Sequence, residues 1–194
     1  MEAEPTDWSA PFVRAQAKWR QGDKKGAIDD AGLAIKANPR EPDPYTLRSQ
    51  FRNSAGEKEG ALEDATKVTQ VAPRDVASWR WRASLRWQQK DAPGAIEDLG
   101  RAIEIAPQDN DLTFARGMYR MQSGDLAGAL EDATKGVELA PKDGKHRMLR
   151  GKVLLAQMEY RKALEDFRKA VDSTPGLAGE ANPLIAQCRA KLGE

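Results

Sequence analysis

The stretch that decides the fold is Ala-Ile-Glu-Asp-Leu-Gly-Arg-Ala-Ile-Glu-Ile-Ala-Pro, residues 95–107. Related stretches that begin with alanine and end with proline occur at 27–39, 61–73, 129–141 and 163–175. Each begins 34 residues after the one before it, without an insertion or a deletion. Such a strict period is typical of stacked repeats rather than of one globular core, because a slip of one residue would turn a helical face by about 100°.

The apolar residues of each copy are spaced as on one face of a helix. In the first copy they are Ala27, Ile28, Ala31, Ala34 and Ile35. This spacing indicates an amphipathic helix rather than a strand, and the closing proline ends it. Another helical stretch precedes each copy after a short turn, so the sequence predicts antiparallel helix pairs. Their bounds are about 9–21 with 24–37, 43–54 with 58–71, 76–89 with 92–105, 110–122 with 126–139, and 144–157 with 160–173.

The repeats account for nearly all of the 194 residues. We expect a polar lead-in at residues 1–7 and five repeats over residues 8–175. The approximate bounds of the repeats are 8–41, 42–75, 76–109, 110–143 and 144–177. Residues 178–194 are expected to form a capping helix that seals the last repeat from water, with Asn182 as its cap and Pro183 at its start. Its apolar stripe comprises Leu184, Ile185, Cys188 and Leu192.

The composition argues against several classes of function. Lys plus Arg number 31 and Asp plus Glu number 30, so no general attraction to nucleic acid or to an anionic membrane is expected. No apolar run is long enough to span a membrane, and the acidic N-terminus lacks the apolar segment of a signal peptide, so we expect a cytoplasmic protein. The single cysteine, Cys188, rules out a disulfide within the chain and is expected to pack as a small apolar group.

The chain lacks a set of residues that would carry catalysis. His146 is the only histidine, and Cys188 lies far from it in sequence. Neither a zinc site nor a nucleophilic triad can be assembled from this pair. Adjacent acids such as Glu63 and Asp64 diverge by about 100° on a helix, and no glycine-rich phosphate loop occurs. We therefore expect no enzymatic activity, no metal and no cofactor.

Two columns of opposite charge run through the repeats. They are Arg14, Arg48, Arg82, Arg116 and Arg150, and Asp30, Asp64, Asp98, Asp132 and Asp166. A second base, such as Lys18 or Arg52, lies four residues after the arginine on the same helical face. We expect the arginines to pair with the aspartates, within a repeat or across to its neighbour, and so to fix the register of the repeats. The alternative is a basic spine that binds a ligand.

The 34-residue unit of two helices closed by proline resembles the tetratricopeptide repeat. Tyr45 and Trp79 match the aromatic residue that this family carries early in the first helix, and Gly117 and Gly151 match its small residue. Thr113 departs from the aromatic pattern, whereas the alanine that opens each copy follows the family throughout. The resemblance implies an all-α fold, a right-handed superhelical solenoid of antiparallel helix hairpins, and a function in protein–protein interaction.

In tetratricopeptide arrays the first helices line a concave groove whose inward side chains hold a peptide. The matching positions here are Phe12, Gln16, Trp19, Thr46, Gln50, Asn53, Arg80, Ser84, Trp87, Phe114, Met118, Met121, Met148, Lys152 and Leu155. Aromatic residues and methionine make adaptable contact surfaces. The alternative for some of them is packing between repeats. The Lys, Asn and Arg clamp of the family's chaperone-tail binders is absent from these positions.

The resemblance implies a scaffold or adaptor that binds a peptide segment of another protein, with no nucleic acid or membrane partner. Arg80 and Lys152 would orient an apolar segment that carries acidic residues. The residues expected to supply most of the affinity are Trp87, Phe114, Met118 and Met121. The alternative is a structural module that self-associates or joins a larger assembly without a peptide ligand. A monomer is expected, with an oligomer left open.

Overall fold

A computed structural model of the chain describes residues 7–194, and all regular structure in that part is helical. The predicted lead-in lies outside the described residues except for Asp7. The chain divides into two compact units, Met1–Asp91 and Ala92–Glu194. The helices of the first unit are α1 (Ser9–Arg20), α2 (Lys24–Ala37), α3 (Pro42–Ala55), α4 (Lys58–Val71) and α5 (Val76–Gln88). The helices of the second are α6 (Ala92–Ile105), α7 (Asn110–Gln122), α8 (Leu126–Leu139), α9 (Gly144–Ala156), α10 (Tyr160–Ser173) and α11 (Ala178–Leu192).

Helices that follow one another pack together within each unit. In the first unit α1 packs on α2 and α3 on α4, and α3 and α5 also contact the helices before them. In the second unit α7 packs on α8, α9 on α10, and α10 on α11. The bounds of α1 to α10 agree with the predicted ones to within one residue. The alternation of first and second helices therefore follows the period of the sequence.

A buried alanine begins the contact surface of each second helix. Ala27, Ala61, Ala95, Ala129 and Ala163 all have no exposed surface. Small residues on the first helices permit equally close contact: a Cβ atom added to Gly151 would lie 2.6 Å from the Phe167 ring. Interiors packed this closely leave no room for an added methyl group. These small residues set how near the paired helices can come.

The turns after α1, α3, α5, α7 and α9 share one backbone conformation. The residues that adopt it are Gly22, Gly56, Lys90, Gly124 and Met158, with φ between 64° and 90°. Glycine adopts this left-handed region without a steric penalty, whereas Lys90 and Met158 carry a side chain there. The turn geometry is thus kept where the glycine is missing.

The C-terminal helix begins earlier than its capping signals indicate. The prediction that Asn182 caps it and Pro183 opens it is wrong, because α11 starts at Ala178 directly after a 3₁₀ turn at Pro175–Leu177, and Pro183 lies inside it. Ala181 and Cys188 are both fully buried on the core around Phe167, so packing holds the first turns as helix. Pro183 removes only one early backbone hydrogen bond.

Candidate functional site

Four arginines of the repeated column bind the aspartate sixteen residues further along the chain. Arg14 donates from Nε and Nη2 to the two carboxylate oxygens of Asp30, at 2.7 Å each. The corresponding distances from Arg48 to Asp64 are 2.8 and 2.6 Å. Arg116 with Asp132 and Arg150 with Asp166 have the same two-pronged geometry. Each pair joins the first helix to the second helix of its own repeat.

The third arginine and the third aspartate of the two charged columns, Arg82 and Asp98, lie in different units. Arg82, in the first unit, donates from Nη1 to the Thr69 hydroxyl at 2.8 Å, and its guanidinium group lies 4.8 Å from the Trp79 ring centroid. Arg82 therefore links α5 to α4 within the first unit. Asp98, in the second unit, has no exposed surface.

A second base reaches three of the same aspartates. Lys18 lies 2.8 Å from Asp30, Arg52 lies 2.9 Å from Asp64, and Arg120 lies 3.0 Å from Asp132. The two arginines also donate to the carbonyl oxygens of Gly60 and Gly128, at 3.2 and 3.1 Å. A Cβ atom on Gly60 would lie 3.1 Å from Arg52, and one on Gly128 would lie 2.9 Å from Arg120 and 2.3 Å from Asp125, so both glycines lie close to these side chains.

These bases are engaged with buried carboxylates rather than left free for a ligand. The hydrogen bond from Arg14 lowers the pKa of Asp30 from 3.8 to about 2, against the opposing effect of burial. A carboxylate held between two cations remains ionised at neutral pH. The arrangement can join helices, but it leaves no unpaired basic spine at these positions.

The predicted groove residues of each unit form what we call the first-helix face of that unit, which is described here for the first unit. On α1, the Trp19 ring stacks on Phe51 of α3 with centroids 4.3 Å apart, and Phe12 contacts the edge of Trp8 at 5.2 Å. Trp19 therefore packs between repeats, although one part of it is exposed. The polar positions Gln16 and Gln50 are half-buried and exposed respectively.

The α5 portion of the first-helix face combines a cation with an aromatic ring. Arg80 is exposed and has no hydrogen bond or ion pair within residues 7–194. Ser84 and Trp87 follow it by four and seven residues, so the three side chains share one face of α5. Ser84 is half-buried and donates to the Trp81 carbonyl oxygen at 2.7 Å, and Trp87 is also half-buried.

The apolar part of the first-helix face in the second unit lies on α7. Phe114, Met118 and Met121 are half-buried and pack against a core that includes Leu149 and Val153. They keep part of their surface in contact with solvent. This portion can therefore offer aromatic and thioether contacts to a ligand.

Two predicted groove residues of α9 do not line an open surface. Met148 is only 3 % exposed and belongs to the core shared with Phe167 and Cys188. Lys152 forms an ion pair with Glu180 at the start of α11. Both follow from the position of α11, which packs on α10 and brings its first turn close to α9. Lys152 is therefore not a free cation, and Met148 is not accessible to a ligand.

A charged cluster on α7 and α9 was not predicted from the sequence. Lys145 forms an ion pair with Asp111, lies 3.1 Å from Asp143, and stands 5.7 Å from the Phe114 ring centroid. These contacts raise the pKa of Lys145, with the hydrogen bond to Asp111 as the main cause. The signal was present: Asp111 and Lys145 are 34 residues apart, so they occupy the same place in successive repeats.

Open clefts also lie on the second helices, away from the predicted groove. One of about 670 Å³ is lined by Leu62, Thr66 and Lys67, and one of about 530 Å³ by the equivalent Leu130, Thr134 and Lys135. The sequence around them is identical, Gly-Ala-Leu-Glu-Asp-Ala-Thr-Lys at 60–67 and 128–135. Within the described residues, no group of three or more His, Cys, Asp or Glu side chains is placed to hold a metal ion.

A comparison with family models decides the assignment. Two stretches, residues 54–110 and 114–178, match the tetratricopeptide repeat and together cover more than half of the chain. The chain belongs to the tetratricopeptide repeat family. The all-α repeat fold predicted from the sequence is thereby confirmed. No helix in the described part of this tetratricopeptide repeat protein combines the length and apolar character needed to cross a membrane.

Solved tetratricopeptide structures have a similar fold. A MamA crystal structure is 19 % identical, with a TM-score of 0.77 over 89 % of this chain and 94 % of that chain. A tetratricopeptide repeat protein from Parabacteroides merdae ATCC 43184 is 17 % identical, with a TM-score of 0.79 over 96 % and 73 % of the two chains. YrrB, described as a TPR protein with an unusual peptide-binding site, is 19 % identical, with a TM-score of 0.72 over 89 % and 90 %. Curated proteins yield no match.

Proposed function

We propose that this tetratricopeptide repeat protein is a scaffold that binds a segment of a partner protein on its first-helix face. The family membership supports a role in protein–protein interaction, and tetratricopeptide repeat proteins are generally non-catalytic scaffolds. The fold similarity to YrrB adds support for a peptide as the ligand.

The observation that carries the proposal is the free arginine on α5. The arginine column and the second bases of the first helices are mostly bound to buried aspartates, whereas Arg80 is exposed and has no partner in the described part of the chain. Arginine in this setting binds a carboxylate through two parallel hydrogen bonds. Trp87, one further turn along the same face, offers an aromatic surface of the kind that dominates binding energy at interfaces.

These features favour a ligand segment with an acidic residue followed or preceded by apolar ones. The acidic group would bind Arg80, and the apolar groups would contact Trp87 on the same helix. In the second unit, Phe114, Met118 and Met121 would offer a separate apolar contact surface on α7. Lys152 and Met148 are not part of the proposed binding surface, because Lys152 is paired with Glu180 and Met148 is buried.

Selection from a random peptide library displayed on phage tests the proposal. The wild-type protein is expected to enrich peptides with acidic and apolar residues, whereas a variant with Arg80→Glu and Trp87→Ala should not. Arg101→Glu is the matched control, because Arg101 is exposed on a second helix and forms an ion pair with the exposed Glu104. Equal enrichment by the wild type and the double variant would contradict the proposal.

One observation favours the alternative of self-association. Val13 on α1 is 61 % exposed, whereas Leu149, at the equivalent place in the last repeat, is buried against Ala129 and Ala133 of the preceding second helix. The exposed Val13 side chain gives α1 an apolar edge of the kind that protein interfaces use. Multi-angle light scattering would show a dimer that Val13→Glu dissociates; a monomer at all concentrations contradicts self-association.

A further inference from the structure

His146 on α9 is a fully buried histidine with no hydrogen-bond partner. It has no exposed surface, and neither Nδ1 nor Nε2 contacts a donor or acceptor within residues 7–194. Buried polar atoms in folded proteins nearly always have a partner, so an exception requires a specific reason. The position is otherwise compatible with an apolar side chain: Leu112, at the equivalent place in the preceding repeat, is also fully buried.

The neighbouring helix α8 is shaped to receive the imidazole ring. A Cβ atom added to Gly136 would lie 1.8 Å from His146 Nδ1 and 2.2 Å from Cε1. The equivalent positions of the other repeats are Ala34, Val68, Ala102 and Ala170, all of which carry a side chain. The ring of His146 therefore occupies the volume that a side chain fills elsewhere, and it is held with little freedom to move.

The same ring supports an apolar residue of the first-helix face. The edge of His146 meets the Phe114 ring of α7 at a centroid distance of 5.5 Å and an interplanar angle of 86°. The Lys145 ammonium group stands 5.7 Å from the same Phe114 ring. Phe114 thus contacts both the imidazole ring and a cation.

The charged groups that act on His146 come from α7 and from α9 with its cap. Burial is the main cause that lowers the pKa of His146, and the charge of Lys145 lowers it further. Asp143 and Asp111 act in the opposite direction. The two carboxylates are already engaged with Lys145, so they offer limited compensation for a second positive charge. An imidazolium ion at this place would be buried beside an existing cation without a direct hydrogen-bond acceptor.

We propose that His146 is a proton-operated switch: the neutral ring is locked between Gly136 and Phe114, and protonation expels it and releases Phe114 from its place on the first-helix face. The consequence for ligand binding rests on the function proposed above, whereas the movement of the ring and of Phe114 does not. Acidification would loosen the contacts of α9 with α7 and α8 and weaken binding to the Phe114, Met118 and Met121 portion.

The sole histidine makes the proposal directly measurable. The imidazole Cε1 proton gives one resonance in an NMR spectrum, and it belongs to His146. We expect this resonance to titrate below the range of a free histidine, and the ring signals of Phe114 to change with the same midpoint. All five tryptophans lie in the first unit, so their indole signals should stay unchanged over that step.

Two outcomes would overturn the switch. One is a His146 resonance that titrates as in a free peptide. The other is a Phe114 ring that keeps its shifts while His146 becomes charged. His146→Leu provides the matched control, since leucine stands at the equivalent place in the preceding repeat; its Phe114 signals should show no step in that pH range. If this variant does not fold, the wild-type titration alone still decides between the outcomes.

The switch and the proposed function fail in different ways. A library selection that gives no peptide would contradict binding on the first-helix face but leave the coupled titration of His146 and Phe114 intact. Conversely, selected peptides that bind equally well at pH 7.5 and at a pH below the His146 midpoint would contradict the regulation while preserving the function.

Discussion

Four buried aspartates of the repeated column accept charged hydrogen bonds from arginine. These aspartates are nearly inaccessible, yet each accepts two hydrogen bonds from an arginine of the facing helix. They are Asp30, Asp64, Asp132 and Asp166. Such pairs add little net stability compared with apolar residues, but removal of one partner leaves an uncompensated charge. We propose that they serve mainly to fix the register of the first helix against the second helix. The sequence predicted this role, but it left open whether the partners belong to one repeat or to neighbouring repeats.

Asp64 should be among the most sensitive positions of the first unit. Replacement by alanine leaves Arg48 and Arg52 without their shared acceptor, and we expect a loss of about 3 kcal/mol in the free energy of unfolding. Glu63→Ala is the control, because Glu63 is adjacent but exposed, and its effect should stay within about 0.5 kcal/mol. Urea unfolding followed by tryptophan fluorescence measures both. Equal stability of the two variants would show that the pair is dispensable.

Acidification should destabilise the first unit through Asp30. Its pKa is about 2 in the folded protein, below the ordinary value of 3.8, because Arg14 binds the ionised form. As the pH falls, the unfolded chain takes up a proton first, so the stabilising contribution is present above pH 3.8 and is lost progressively toward pH 2. The urea midpoint of the wild type should fall more steeply over this range than that of Asp30→Asn. Parallel curves would refute the assignment.

The turns after the first helices keep one conformation with three different residue types. Glycine satisfies it at Gly22, Gly56 and Gly124, whereas Lys90 and Met158 adopt a positive φ with a side chain attached. The short turn and the packing of the two flanking helices on each other fix the path of the chain, so tertiary structure overrides the local preference.

Met158→Gly should therefore stabilise the second unit. A residue with a side chain loses about 1–2 kcal/mol in the left-handed conformation, and glycine does not. Part of this gain is offset because glycine has more conformational entropy in the unfolded chain. Met158 is 72 % exposed, so little packing is lost, and a net gain of about 0.5–1 kcal/mol is expected from denaturation followed by circular dichroism. Gly124→Ala tests the converse and should destabilise by about 1 kcal/mol. A gain from both substitutions would contradict this interpretation.

The helices could be predicted closely where the repeat pattern applies and less well where it stops. From α1 to α10, the spacing of apolar residues, the turn and the closing proline all indicate the same bounds. In α11 the local signals of Asn182 and Pro183 favoured a later start, but burial of Ala181 held the preceding residues as helix. Local capping preferences amount to about 1 kcal/mol, which tertiary packing can exceed.

The first-helix face could be predicted by position but not by accessibility. The repeat register placed Trp87, Phe114 and Met118 at partly exposed sites, yet it also included Met148, which is in the core, and Lys152, which is paired with Glu180. The register assigns a residue to a face of its own helix. It does not show which neighbouring element covers that face, and α11 lies beyond the last copy of the pattern.

We propose above all that this tetratricopeptide repeat protein binds a partner segment through its first-helix face. Isothermal titration calorimetry of the most enriched library peptide tests it most directly, with wild type, Arg101→Glu, and the variant carrying Arg80→Glu and Trp87→Ala. Loss of the Trp87 contact and of the ion pair to Arg80 is expected to raise the Kd at least about tenfold in the double variant. Arg101→Glu should bind like the wild type. The same Kd for all three proteins would contradict the account.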